Sequence, residues 1–300
     1  MRLDRTRIAI AERSQPETLD LSLLVLREFL FPVFGLVAIM AVPLAILNWY
    51  LIEWMAADLI EEVTVSRYLW TMAMLVFVEA PFASILATSY LGKVTFYESP
   101  TFWEVCKDVA SLSGRIFWTQ LVLRGVLLVL VMVWSITPDD SFSPTEGMLI
   151  FICFGLFVIR SLRPYINEIV LLERSPIFSR SPKQITVGKR SNRLHGPNSG
   201  DLFGRGIAMI PVTLALGLSV LGLLWFGIAT FSNDWGWGPV MVHFVVPTVF
   251  WILAAYVTVF RFLSYLDLRI RREGWEVELK MRAEANRLAE RMSSGSLAAE

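Results

Sequence analysis

Six long apolar stretches, at 29–52, 68–92, 116–138, 147–172, 206–233 and 235–260, divide this chain and leave few ways to fold it. Each is long enough to cross a hydrocarbon core of about 30 Å as a helix rising about 1.5 Å per residue. A helix suits that setting because each segment satisfies its own backbone N–H and C=O groups where water is missing. Charge alternates between the connectors with equal regularity. The first 28 residues and the connectors 93–115, 160–205 and 261–300 hold 25 of the 27 Lys and Arg residues, leaving Arg67 in an opposite connector and Arg124 inside a span. The opposite connectors are acidic, with Glu53, Asp58, Glu61 and Glu62, then Asp139, Asp140 and Glu146, then Asp234. By the positive-inside bias both termini are expected on the cytoplasmic side of a bacterial inner membrane. The expected architecture is an all-α integral membrane protein of six transmembrane helices: a cytoplasmic N-terminal segment over 1–28, a membrane domain over 29–263, and a charged helical tail over 264–300.

Composition agrees, since 55% of the residues are hydrophobic, mean hydropathy is +0.56, and a net charge of zero conceals the segregation. A soluble chain of this length more often forms two domains built of amphipathic helices. The first 28 residues do not read as a cleavable leader, because Asp4, Glu12, Glu17 and Asp20 interrupt any apolar core. Cys106 and Cys153 are the only cysteines, too few for a disulfide framework or a cysteine metal site. Trp49, Trp54, Trp70, Trp103, Trp235 and Trp237 fall near expected span ends, the pattern of an interfacial aromatic belt.

Part of the chain repeats itself. Ser99-Pro100-Thr101-Phe102 recurs as Ser175-Pro176-Ile177-Phe178, and Leu112-Ser113-Gly114-Arg115 recurs as Leu202-Phe203-Gly204-Arg205. The two units, about 68–136 and 147–231, each read as an inward span, a Ser-Pro turn, a basic connector and an outward span, with the polar stretch 187–200 as an inserted loop. Proline disfavours helix in the residue before it, so Ser99 and Ser175 are expected to end one helix and Pro100 and Pro176 to open the next. The residues after Pro100 place Trp103, Cys106, Val109 with Ala110, and Leu112 on one helical face and Glu104, Lys107 and Asp108 on another, as in a helix lying in the membrane interface or packed under the bundle. The second connector is too basic to repeat that pattern, and Arg174, Arg180, Lys183, Lys189, Arg190 and Arg193 are candidate contacts for anionic lipid headgroups or an acidic partner.

Ionisable residues at membrane depth need a partner, a wet cavity or an escape to the interface. Glu79 in the second span lies about 13 Å from the basic side, and Arg124 and Arg160 fall at roughly 12 Å, so the three form a candidate intramembrane polar layer. A Glu79–Arg124 or Glu79–Arg160 pair is expected, either gluing the bundle or forming a substrate or proton site. Pro81 loosens the helix beside Glu79 and frees a carbonyl there. Asn167 and Glu168 are placed at the cytoplasmic mouth. Catalytic motifs are missing: His195 and His243 are isolated, no nucleophile elbow or phosphate-binding loop occurs, and the glycines of 196–206 lack dinucleotide spacing. Neither an enzyme activity nor a cofactor or metal is expected.

The sixth span runs without a helix breaker through Arg261-Phe262-Leu263-Ser264-Tyr265-Leu266-Asp267-Leu268-Arg269-Ile270-Arg271-Arg272-Glu273 to Gly274, where a bend between two helical pieces is expected. Residues 266–281 alternate with a period of two, but their Glu, Lys, Arg and Leu content and their i,i+4 charge pairs favour helix. Arg269, Arg271 and Arg272 join the candidate headgroup contacts. With Glu173-Arg174-Ser175-Pro176 and Lys189-Arg190-Ser191, this segment resembles bacterial multipass proteins related to the membrane domain of glycerophosphoryl diester phosphodiesterases, over about 20–292. The resemblance implies a six-helix membrane protein serving envelope or lipid metabolism; it carries no activity, because the catalytic barrel of those phosphodiesterases is a separate part with no counterpart in this sequence. Two functions follow as expectations. One is a non-enzymatic scaffold or accessory protein acting through its connectors and tail on a soluble cytoplasmic partner. The other is a transporter or lipid-handling protein built around Glu79, Arg124 and Arg160. Anionic membrane lipids are the expected ligands, and nucleic acid is not.

Overall fold

A computed structural model describes residues 12–56, 62–96, 99–136, 143–178 and 184–274. Among them the chain is helical and contains no strand. Four continuous segments, Leu30–Ala56, Pro144–Leu162, Val187–Ser232 and Met241–Glu273, are long and apolar enough to cross a membrane. Two bent pairs, Val65–Ala83 with Ile85–Val94 and Ser113–Val122 with Val126–Trp134, raise the number to six if each is one span. This is a membrane-embedded, multi-pass helical protein.

Helix α1, Gln15–Glu28, opens with a capping box in which the Ser14 N–H donates to Glu17 Oε2 at 2.9 Å. It buries Thr18, Ser22 and Val25, one face at helical spacing, and lies along the last helix of the chain. The 1–28 segment therefore contains a packed helix rather than a connector alone. After the single break at Phe29, α2 runs over Leu30–Ile52, and a 3₁₀ turn over Glu53–Ala56 follows. Helices α3, Glu62–Ala83, and α4, Ile85–Val94, meet at a 41° bend. Pro81 explains it: without an N–H it cannot continue the ladder, and its ring crowds the Phe77 carbonyl one turn back.

At the basic end α5, Phe102–Ser111, starts from a second capping box, at Thr101 and Glu104, and leaves Phe102 and Trp103 exposed. Only Val105 of α5 is buried. A short α6, Ser113–Ile116, passes into a π-helical turn over Phe117–Val122 and then α7, Val126–Trp134, across a 54° bend. The bend falls at Gly125, whose φ of 72° is the left-handed region where a side chain is strained. Helix α8, Pro144–Leu162, has a third capping box at Ser143 and Glu146, and Glu146 also pairs with Arg67 to tie the acidic ends of α3 and α8.

After α9, Ile166–Leu171, the structure corrects the expected loop at 187–200. Residues Val187–His195 form α10, followed by a 3₁₀ turn over Gly196–Asn198. The Thr186 hydroxyl caps it by accepting from the Lys189 N–H at 3.4 Å, and Val187, Ser191, Leu194 and His195 fall on one buried face. His195 is held from both sides: the Tyr165 N–H donates to Nε2 at 3.3 Å, so Nδ1 carries the hydrogen donated to the Ser191 carbonyl at 2.8 Å. A basic helix thus reads as surface from its charges while a four-residue stripe anchors it.

Helices α11, Ser199–Ser232, and α12, Val246–Glu273, differ sharply in position. In the apolar window of α12, 61% is buried, against 11% for the segment carrying α11, so α12 is the central strut and α11 lies outside. Leu19 and Leu26 of α1 pack on Met209, Tyr256 and Phe260 from these two helices. Helix α12 runs through 264 without a break. Ser264 through Leu268 and Ile270 are buried in the bundle, and the helix continues to Glu273, where Gly274 ends it at φ 64°. Residues 275–300, the rest of the expected tail, lie outside the described residues.

Candidate functional site

The freed backbone at Pro81 organises the polar layer. Arg160 from α8 reaches across to α3, donating from Nη1 to the Phe77 carbonyl at 2.5 Å and from Nη2 to the Val78 carbonyl at 2.8 Å. Its Cζ lies 4.9 Å from the Phe77 ring centroid. The Pro81 carbonyl accepts from Asn167 Nδ2 at 2.6 Å and from the Ser84 hydroxyl at 3.0 Å, and Asn167 also accepts from Gln120 in the π-helical turn. Arg124 donates to the Arg163 and Pro164 carbonyls at 3.0 and 3.5 Å, at the end of α8 where proline interrupts the helix. Proline breaks thus supply the acceptors, and arginines fill them.

Glu79 does not pair with either arginine. It is fully buried, and its Oε2 accepts from Asn48 Nδ2 at 2.7 Å, joining α3 to α2. The expected Glu79–arginine pair is replaced by this acid–amide contact on one side and by carbonyl capture of the arginines on the other. The carboxylate that does meet an arginine is Glu168, wholly buried in α9, whose Oε1 accepts from Arg261 Nε at 2.7 Å while Arg261 Nη2 donates to Ser84 at 3.1 Å. Glu168 and Asn167 therefore belong to the polar interior, not to an open mouth.

Beside this layer lies a cavity of about 410 Å³, walled by α3, α8, α11, α12 and the turn between α8 and α9. Gly206 permits the close crossing of α8 and α11 along its wall, since a Cβ there would meet Ser161 Oγ at 2.8 Å. The walls are graded. Tyr165, Leu202, Arg205 and Ser264 line the basic end, Arg160 and Arg261 the middle, and Phe77, Phe157, Leu214 and Val257 the depth. From Leu202 to Leu214 along α11 is about 18 Å. Such a slot fits an acyl chain running down from a polar group near the basic end.

The remaining basic candidates have mixed placements. Arg190 and Arg269 join Glu173, Glu273 and Tyr265 in an ion-pair cluster, with Arg190 Nε 2.5 Å from Glu173 Oε2 and Arg269 Nη2 2.6 Å from Glu273 Oε2. Arg271 pairs with Asp267, and Arg272 donates to Asn198. Arg174 sits 3.2 Å from Asp108, whose carboxyl is held below its ordinary range chiefly by the hydrogen bond from Lys93 at 2.5 Å. Lys189 and Arg193 are exposed, and Arg180 and Lys183 lie outside the described residues. Sequence reasoning left Arg205, Arg261 and Asp267 unassigned. Their signal was positional: each lies beside the basic end of an apolar span, Arg205 just before the fifth and Arg261 and Asp267 within two helical turns after the sixth, where a charge drawn into the bundle requires a partner. Comparison with family models, curated proteins and solved structures finds no match to this chain.

Proposed function

We propose that this protein handles lipids: a six-span bacterial inner-membrane protein, with both termini cytoplasmic, that takes an amphiphile from the cytoplasmic leaflet into the pocket between α3, α8, α11 and α12. The observation that supports this is the graded, lateral cavity of about 410 Å³, apolar at depth and flanked by arginines toward the basic end. The reading is binding, transfer or presentation of the lipid in envelope metabolism. The Ser-Pro recurrence points to a duplicated two-helix unit, and the pocket takes α3 from the first unit and α8 and α11 from the second, together with α12. The resemblance to the membrane domain associated with glycerophosphoryl diester phosphodiesterases agrees with a lipid role.

The scaffold reading loses part of its footing, because residues 264–273 are folded into the bundle rather than presented as a free docking helix. Mass spectrometry of protein purified gently in a neutral detergent tests the proposal. A lipid retained by the parent protein and lost from Thr213→Trp, which fills the deeper part of the slot, is the expected result. Retention by both rejects the pocket as the site. Accessibility of single cysteines at Asp234 from outside and at Asn192 only after permeabilisation tests the orientation.

A further inference from the structure

The pocket carries more positive charge than its neighbours neutralise, and that excess identifies the ligand's polar end. Arg160 is nine-tenths buried, its two terminal nitrogens end on carbonyls, and its Nε is buried without a hydrogen-bond partner among the described residues. Carbonyl oxygens satisfy donors but do not cancel a full charge. Arg261 spends Nε on Glu168 and Nη2 on Ser84, leaving Nη1 with no described acceptor. Arg205 uses Nε on the exposed Asp201 and reaches Asp267 Oδ2 from Nη1 only at 3.3 Å. Asp267 is otherwise committed, since Arg271 holds the same Oδ2 and the Arg13 N–H donates to Oδ1 at 2.9 Å. Of the three guanidinium groups on the walls of one apolar cavity, Arg261 is matched by Glu168 and Arg205 by Asp201 with a share of Asp267, while Arg160 meets no carboxylate among the described residues.

Resting on the pocket reading above, we infer that the ligand is an anionic amphiphile, whose single negative headgroup lies among Arg160, Arg205 and Arg261 and whose acyl chain runs toward Phe157 and Leu214. A zwitterionic headgroup brings its own cation into the same cluster and is disfavoured by like-charge repulsion. Guanidinium donors favour phosphate and carboxylate oxygens alike, so the shared chemistry is an anionic oxygen group on a chain, supplied by a phospholipid or by a free fatty acid.

The test uses the full-length protein, stripped of lipid in neutral detergent, and follows thermal stabilisation and native mass spectra. The probes are phosphatidylglycerol, phosphatidylcholine with the same acyl chains, and oleate. Phosphatidylglycerol is expected to bind about tenfold more tightly than phosphatidylcholine. Arg205→Gln, which leaves Asp267 with Arg271 and the Arg13 N–H, is expected to erase that preference. Arg160→Gln should do the same if it folds, but the conclusion does not depend on it. Oleate matching phosphatidylglycerol assigns the site to any anionic chain, and oleate binding no better than phosphatidylcholine assigns it to the phospholipid headgroup; both support the inference. Equal binding of the two phospholipids, or a preference that survives Arg205→Gln, overturns it while leaving the pocket intact. If no probe stabilises the protein, or Thr213→Trp leaves all binding unchanged, the pocket reading itself fails.

Discussion

Around the end of α12, Arg190 and Arg269 meet Glu173 and Glu273, whereas deeper in the bundle Arg160 and Arg124 end on backbone carbonyls. The two layers answer different demands. Near the interface a carboxylate is easily hydrated before folding and remains partly solvated afterwards, so a paired charge adds little cost. At depth, a second ion adds its own desolvation penalty, and carbonyls freed at proline breaks supply acceptors without it. The result is a deep layer that is well hydrogen-bonded yet positively charged. Glu168 with Arg261 is the exception, an ion pair placed where the carbonyl solution is found for its neighbours.

That exception provides the sharpest break of the comparison. Glu168→Gln leaves Arg261 without its carboxylate in a buried setting and is expected to cost about 3–5 kcal/mol. Replacing both by leucine should recover most of the loss, because the uncompensated charge disappears. Denaturation of the detergent-solubilised variants reads the difference; a neutral single substitution means that Arg261 is hydrated through the pocket and does not depend on Glu168.

Removing Arg160 probes the carbonyl side. Arg160→Met strands the Phe77 and Val78 carbonyls but also removes a charge that lacks a carboxylate, so the net loss is expected to be about 2 kcal/mol, smaller than for Glu168. Because Glu79 bonds to Asn48 and not to Arg160, the double variant Glu79→Gln with Arg160→Met should be additive within about 0.5 kcal/mol. Marked recovery in the double variant reinstates the ion pair that the structure replaces. A smaller effect comes from α1, where Ser14→Ala removes the capping hydroxyl and should cost about 1 kcal/mol in the same unfolding measurement.

The parts of this molecule that follow from local chemistry were legible in the sequence. Span positions come from uninterrupted apolar runs, the freed carbonyl near Glu79 from Pro81, helix α5 from its two faces, and the helix end at Gly274 from a residue tolerant of left-handed backbone. Ser14-Gln15-Pro16-Glu17 also spells a helix start, with a capping serine, a first-turn proline and a glutamate at the third helical position. Partner choice was a different problem. Depth places Glu79, Arg124 and Arg160 in one layer, but which faces of four helices look at one another depends on rotation about each axis, and a break at Pro164 turns Asn167 and Glu168 inward. In α10 the basic residues and Gly188 dominate the composition, while the four-residue buried stripe that fixes the helix has no meaning until Tyr165 is brought beside His195.

The mildest contrast lies at the basic surface, where Asp108 receives Lys93 at 2.5 Å and Arg174 at 3.2 Å, with Arg174 largely exposed. The Lys93 hydrogen bond lowers the Asp108 carboxyl below its ordinary value of 3.8; burial opposes it, and the charges of Lys93 and Arg174 add to the lowering. A carboxyl depressed in the folded state contributes stability that is complete above pH 3.8 and is lost as pH falls through the lower, folded value. Water and salt reach this group, so its pair contributes about 0.2–1 kcal/mol and weakens as ionic strength rises. Asp108→Asn is therefore expected to lower the unfolding temperature slightly at neutral pH and low salt, with the difference from the parent narrowing in high salt and vanishing in acid. The Glu168→Gln deficit should persist in high salt, because the bundle excludes screening ions from a fully buried carboxylate. If both deficits shrink together as salt is added, then the Glu168–Arg261 pair is as accessible to ions as the surface pair, and the separation of the two layers by solvent access does not hold.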